Sequence, residues 1–201
     1  MLRVDGEPDY ALPPAVCYHH YPRLTNRTIE ERGSIITAAG GCFRNEHDDA
    51  HPLERLRSFT MREIIAVGRA AFVEEMRAGL VARVMQWLAQ LDLDGVIETA
   101  TDPFFTSESR GRLLMQQLQP LKYELRLTVN DAGRTVAAAS FNNHRDHFGK
   151  AFSIRQRNGE FAHSGCVAFG WERWILAFIA QHGADEDSWP VQSRRRHAVA
   201  I

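Results

Sequence analysis

The sequence predicts an α+β fold, an antiparallel sheet flanked by helices, on three observations. Short segments of strand character recur along the chain. Two of them, Tyr123 to Val129 and Arg134 to Phe141, are joined by Asn130-Asp131-Ala132-Gly133, which reads as a hairpin turn. The helical periodicities are segregated between these strands, as in antiparallel α+β domains.

Taken in order, residues 1–11 read as an irregular arm that ends at the Pro13-Pro14 pair. Ser34 to Phe43 is β-branched and Gly-flanked, a strand that enters the charge-dense loop Asn45 to Arg57. A second strand covers Phe59 to Val67. Val73, Met76, Leu80, Val84, Trp87, Leu88 and Leu91 then fall on one apolar helical face, with Gly95 as the expected stop. Val96 to Thr101 is a further short strand. Ser107 to Leu118 reads as a short helix stopped by Pro120. A last strand through Val167-Ala168-Phe169 passes Gly170 into Trp171 to Gln181, apolar enough to predict a buried helix. Residues 184–201 are a polar tail, and the whole chain, 1–201, reads as one domain.

Composition narrows the function. The 201 residues are 44% hydrophobic and 24% charged, a globular balance. A net charge of −1 excludes a dedicated nucleic-acid binder, and the only basic cluster, Arg194 to Arg196, reads as a solvated tail. No apolar run reaches membrane-spanning length, and the polar N-terminus is no signal peptide. Cys17, Cys42 and Cys166 are too few and too far apart for a disulfide framework, which places the chain in a reducing, cytoplasmic setting. Neither G-x-G-x-x-G nor G-x-x-x-x-G-K-S/T occurs, so any nucleotide is held by another device.

Three groups of residues could carry chemistry. Arg44 and Glu46 alternate on one strand face, either as a surface ion pair or as a phosphate cation and an acceptor for a base amino group. Arg55 and Phe59 follow; Phe59 suits a core position or a stack on a purine. Arg173 opens the last helix, where its charge opposes the helix dipole and calls for an anion, either Glu172 or a polyphosphate.

In order, F-R-x-E, a charged loop, R-x-x-x-F and G-x-E-R opening the last helix resemble motifs 2 and 3 of class II aminoacyl-tRNA synthetases. Arg55-Leu56-Arg57-Ser58-Phe59-Thr60-Met61-Arg62-Glu63 and Leu121-Lys122-Tyr123-Glu124-Leu125 resemble the seryl-tRNA synthetase core. The resemblance runs from Leu12 to Gly183. It implies an ATP site in which Arg44 holds the α-phosphate, Glu46 meets the adenine amino group and Phe59 stacks on the base, with Leu56 beside it. Arg55 and Arg173 would bind the β- and γ-phosphates, Lys122 and Ser140 would line the site, and Arg44 and Arg173 would be the catalytic cations.

Within that class the chain resembles the amino acid:[carrier protein] ligases, relatives of zinc-dependent seryl-tRNA synthetase. Ala15-Val16-Cys17 replaces the ordinary seryl enzyme's T-x-E segment, and no coiled-coil tRNA arm is present. Isolated cysteines are usually buried hydrophobes. The resemblance instead implies Zn2+ held by Cys17, Glu63 and Cys166, with the substrate amino group meeting zinc and Glu63; Cys42 gains no role. It implies ATP with Mg2+, a small amino acid (glycine or alanine), a phosphopantetheinylated carrier protein and no tRNA. The segment Ser107 to Leu118 would be an added helix, for carrier docking or simply on the surface.

Two departures from the family pattern bear on activity. Ala137-Ala138-Ala139 stands where the family carries an acidic magnesium ligand, with Asp146 the nearby carboxylate in sequence. Motif 1, the family's homodimer interface, is missing upstream. They keep two further readings open: a non-catalytic paralogue that retains zinc and nucleotide, and a tRNA-aminoacylating enzyme.

Overall fold

The computed structural model of the chain describes residues 11–45, 53–100, 121–130 and 132–190. Glu46, the segment 107–118 and the 194–196 arginines lie outside the described residues.

Two short 3-10 turns, Val16–His19 and Tyr21–Leu24, open the described chain. The elements that follow are β1 (Thr28–Ile29), β2 (Ser34–Phe43), β3 (Ser58–Gly68), α1 (Ala70–Leu91), β4 (Gly95–Thr99) and β5 (Lys122–Thr128). Then come β6 (Thr135–Arg145), α2 (His147–Ala151), β7 (Arg155–Gln156), β8 (His163–Gly170) and α3 (Trp171–His182). β2-β3-β8-β6-β5-β4 form one sheet, antiparallel at every pairing, while β1 and β7 make a small parallel pair. The expected α+β architecture is therefore present. The β5–β6 turn closes as the sequence predicts: the Gly133 amide donates to Asn130 O, and Gly133 adopts φ +77°, which glycine tolerates without a Cβ clash.

Strand alternation assigns the two faces of the sheet. Leu125, Leu127, Phe141 and Val167 point to one face and are fully buried against α1 and α3, where Val84, Leu88 and Ala177 complete the core. Met61, Glu63, Ile65, Cys166 and Ala168 are buried on the other face, beneath the 3-10 turns and α2. Ser140, Asn142 and the neighbouring strand's Lys122 share that second face further along the sheet. A bulge between Leu125 and Arg126 leaves Ala138 without a partner on β5 and resets the register there.

The structure corrects three expectations. α1 ends earlier than Gly95, because Asp92 turns left-handed (φ 50°) and its amide bonds back to Leu88 O. Gly95 instead begins β4, where a Cβ would come within 2.6 Å of Leu127 Cδ2 and 2.9 Å of Arg126 O. On α1 itself, Trp87 is exposed while Arg77 is buried, its guanidinium 2.8 Å from Glu74 and 4.8 Å from the Tyr123 ring centroid. The predicted burial of α3 also fails: only Ala177 is fully buried, and Trp171 and Ile175 remain 45% and 57% exposed. The helix lies against one sheet face, so its sheet-facing residues are covered and its outer ones are not. A groove of about 600 Å³ runs beside it, bounded by Ile35, Ile64, Trp87, Phe169, Trp171 and Trp174. Part of the predicted tail folds back as well, with the Trp189 ring edge-on to Phe178 at 5.3 Å.

Candidate active site

Two cavities lie on the polar face of the sheet, and they share walls. The first, about 90 Å³, is bounded by Leu56, Phe59, Glu124, Ser140, Glu172 and Arg173 among others. The second, about 110 Å³, is bounded by Cys17, Tyr18, Glu63, Asn142, His144 and Cys166 among others. Arg44, Met61, Lys122, Ser140 and Ala168 border both.

Arg44 stands at this junction because it follows β2 directly, where its amide bonds to Arg57 O across the ladder end. Its guanidinium lies 5.0 Å from the Phe59 ring centroid. Its Nη2 donates to Pro14 O at 3.5 Å, while its Nε is buried without a hydrogen-bond partner. Lys122 pairs with Glu124 at 2.8 Å on the cavity wall, and Glu124 lies opposite Ser140 in the β5–β6 register.

Arg173, in the first turn of α3, donates from Nε to Glu54 O at 2.7 Å and from Nη1 to Ala137 O at 2.9 Å. It thereby ties the loop before β3 to the bulged stretch of β6. Glu172 is not its hydrogen-bond partner: one carboxylate oxygen accepts from the Thr60 amide at 2.7 Å, and the other is buried without a partner.

Of the residues expected at a nucleotide, Arg44, Leu56, Phe59, Lys122, Ser140 and Arg173 therefore come together. Arg55 does not join them, being exposed and outside the cavity wall. Ala137, Ala138 and Ala139 border the cavity and bring no carboxylate, as the sequence indicates. Asp146 does not replace one, because it pairs with Lys150 at 2.7 Å, outside the cavity wall. The carboxylates that do border it are Glu54, Glu124 and Glu172, of which the sequence singled out only Glu172, as an ion-pair partner for Arg173.

The second cavity holds the three expected metal ligands. Cys17 comes from the first 3-10 turn, Glu63 from β3 and Cys166 from β8, all buried, with their ligand atoms within 4.8 Å of one another. β3–β8 pairing sets Glu63 opposite Ala168 and Cys166 opposite Ile65, so the two side chains are diagonal neighbours on one face. The Cys17 amide donates to Glu63 Oε2, fixing the turn over the strand. Cys166 Sγ lies 3.5 Å from Glu63 Oε1, roughly the ligand–ligand edge of a tetrahedral zinc site of ~2.3 Å Zn–S and ~2.1 Å Zn–O bonds.

Burial disfavours the ionised forms of two of these groups. Burial raises the Glu63 carboxyl above its ordinary value, against the opposing hydrogen bonds from Cys17. The hydrogen bond with Cys17, then burial and the Glu63 charge, push the Cys166 thiol well up. One cation would relieve all of these penalties together, and two sulfurs with one carboxylate oxygen match zinc. The residues fit that ion.

Cys42, fully buried, faces the same side, and burial pushes its thiol up to about 11. It is not one of the three-residue group. Burial, then the charge of His147, holds His144 down at about 4.

The sequence profile of the tRNA synthetase class II core domain (G, H, P, S and T) matches residues 2–182. Among curated relatives, amino acid–[acyl-carrier-protein] ligase 1 of Bradyrhizobium diazoefficiens is 37% identical over 187 residues, covering 92% of this chain and 57% of the relative. The type-2 serine–tRNA ligase of Methanocaldococcus jannaschii is 31% identical over 192 residues, covering 91% of this chain and 36% of that enzyme. Among solved structures, M. kandleri SerRS in complex with A. aeolicus tRNASec superposes with a TM-score of 0.78 at 23% identity, over 92% of this chain and 37% of that one. The chain thus spans little more than half the length of the curated relatives it matches first.

Proposed function

The chain belongs to the tRNA synthetase class II core-domain family, and from that premise we propose that it activates a small amino acid with ATP and passes it to a carrier protein. The aminoacyl group would be delivered to a phosphopantetheine thiol of that carrier; the 37%-identical relative is named an amino acid–[acyl-carrier-protein] ligase. The observation that carries the reading is the shared wall of the two cavities at Arg44, Lys122 and Ser140. Adenylation needs an amino-acid carboxylate beside an α-phosphate, and a cation between the two cavities stands where both negative charges meet.

In this reading Phe59 and Leu56 take the adenine. The unmet Nε of Arg44 takes an α-phosphate oxygen and strengthens its hold as charge builds on attack by the carboxylate. The carboxylate oxygen bonds to the α-phosphorus, pyrophosphate leaves, and the carrier thiol then attacks the acyl carbon and releases AMP. Arg173 serves differently from the expected phosphate clamp: its guanidinium braces two backbone carbonyls and so shapes the far end of the first cavity.

Cys17, Glu63 and Cys166 are the residues that would hold Zn2+, which when bound offers a fourth position to the substrate's α-amino group. A second cavity of about 110 Å³ suits a small side chain such as that of glycine or alanine. Mg2+ would accompany ATP, with Glu124, opposite Ser140, as the strand carboxylate that borders the first cavity together with Ala137. Free thiols at all three cysteines support a cytoplasmic setting, and no helix among the described residues is long and apolar enough to cross a membrane.

The test is the intact mass of a phosphopantetheinylated carrier after incubation with the protein, ATP and glycine or alanine. A gain of one aminoacyl group is expected. Charging of tRNA with an unchanged carrier would favour the seryl-tRNA ligase reading, which the 31%-identical relative supports. Neither product, from folded zinc-bearing protein, would favour a non-catalytic paralogue, for which the carboxylate-free Ala137–Ala139 run is the supporting observation.

A further inference from the structure

His144 lies just outside the metal-ligand cluster, with contacts at both ring nitrogens. Strand alternation on β6 puts Asn142 and His144 on the polar face, and a register shift between Asn143 and Arg145 turns the chain at that point. Asn142 Nδ2 lies 3.5 Å from Cys166 Sγ, and His144 Nε2 lies 3.8 Å from the same sulfur. On the other side of the ring, Nδ1 faces two hydroxyls, Tyr21 Oη at 3.2 Å and Ser164 Oγ at 3.4 Å. Phe148 and Tyr21 meet the imidazole edge to face, with centroids 5.1 and 6.0 Å away.

These partners decide where the ring proton sits. A neutral imidazole has one N–H and one bare nitrogen. A metal-bound thiolate only accepts hydrogen bonds, so the nitrogen that faces Cys166 must carry the proton to interact favourably. The other nitrogen must then accept, and two hydroxyls are groups that can donate to it. The hydroxyls can meet either tautomer, and the thiolate selects this one. His144 is also not a direct ligand, since the group of mutually close ligand atoms contains Cys17, Glu63 and Cys166 without it.

We infer that His144 is a positioning residue for Cys166: its Nε2–H, with the Asn142 amide, donates to the ligating thiolate, while the Tyr21 and Ser164 hydroxyls complete the hydrogen bonding at Nδ1. The role rests on the zinc reading above. N–H donors at a thiolate disperse part of its charge and aim its remaining lone pairs at the ion. The five-residue array of Tyr21, Ser164, His144, Asn142 and Cys166 thus joins the second 3-10 turn, β6 and β8 into one support for the metal centre.

The test compares Zn2+ affinity, by competition with a chromophoric chelator, for the unaltered protein, His144→Phe and His144→Gln. His144→Phe keeps a ring and loses the donor, so zinc binding should weaken by about 10- to 100-fold. His144→Gln restores an N–H donor and should recover most of that loss. Recovery of zinc affinity by glutamine, whatever the zinc-free melting temperatures of the two variants, is the readout that a merely structural role would not produce. Independently, long-range 15N–1H spectra of the unaltered protein should show His144 protonated at Nε2, assigned by the signal that His144→Gln removes.

Unchanged zinc affinity in His144→Phe, equal weakening in both variants, or a proton on Nδ1 would overturn the inference and leave the zinc reading intact. Unaltered protein that takes up no zinc would overturn the zinc reading, and this role with it. If His144→Phe does not fold, the glutamine variant and the tautomer spectrum still decide.

Discussion

The two faces of the six-stranded sheet are written by the same two-residue alternation and do opposite things. Under α1 and α3, Leu125, Leu127, Phe141 and Val167 form an aliphatic and aromatic core with no buried acid among them. Beneath the 3-10 turns and α2, burial is just as deep, but Glu63 is 1% exposed and Cys166 2%, beside Asn142 and His144. The usual antiparallel sheet with one polar face turns that face to water. Here the polar face is covered, and each buried polar group costs folding free energy unless a partner meets it. The first face holds the fold together, and the second spends some of that stability on chemistry.

Substitutions on the two faces should therefore separate stability from ligand binding. The largest effect is expected from Phe141→Ala, which empties a fully buried ring site: a loss of about 3–5 kcal/mol by denaturant unfolding, with zinc per folded molecule unchanged. Arg44→Ala should do the reverse. Amino-acid-dependent ATP–pyrophosphate exchange should fall by about 10²- to 10³-fold, the scale for removing one preorganised donor, with the melting temperature nearly kept. A stability loss as large as that of Phe141→Ala would break the distinction between the faces.

Glu63 sharpens it through pH. Its folded carboxyl is raised above the ordinary value, so in zinc-free protein its contribution is present at low pH and is lost as pH rises through the folded value. Zinc-free stability should accordingly decline from acid toward neutral pH, and Glu63→Gln should flatten that slope while abolishing zinc retention. The same slope in both proteins would contradict the assignment. The smallest effect belongs to Cys42→Ala: about 1 kcal/mol of stability and no change in zinc stoichiometry, because a thiol held at about 11 stays protonated near neutral pH.

What could be read from sequence follows the same division. Strand alternation and the α1 periodicity define most of the apolar face, Trp87 and Arg77 being the exceptions on α1, since period and hydrophobicity act locally. The stop of α1 escaped because Asp92, not glycine, takes the left-handed turn. Burial of α3 escaped because an all-apolar helix does not say how many sides are covered.

On the polar face, Cys17, Glu63 and Cys166 were found through the family resemblance alone; their spacing along the chain carries no signal. Glu124 appeared in the sequence only within the seryl-type motif, Glu172 only as a partner for Arg173, and His144 not at all; the places of Glu124 and His144 depend on cross-strand register and on bulges at Leu125–Arg126 and Asn143–Arg145. The polar residues at alternate positions, Ser140, Asn142 and His144, were the available hint, following the apolar run Val136 to Ala139 on the same strand.

The central claim is that the covered polar face unites a nucleotide cavity with a small amino-acid cavity across Arg44. ATP–pyrophosphate exchange on zinc-loaded protein, across glycine, alanine, serine and larger amino acids, tests it most directly. The account predicts exchange with a small amino acid and none with large ones. Folded, zinc-loaded protein that gives no exchange with any amino acid would contradict it.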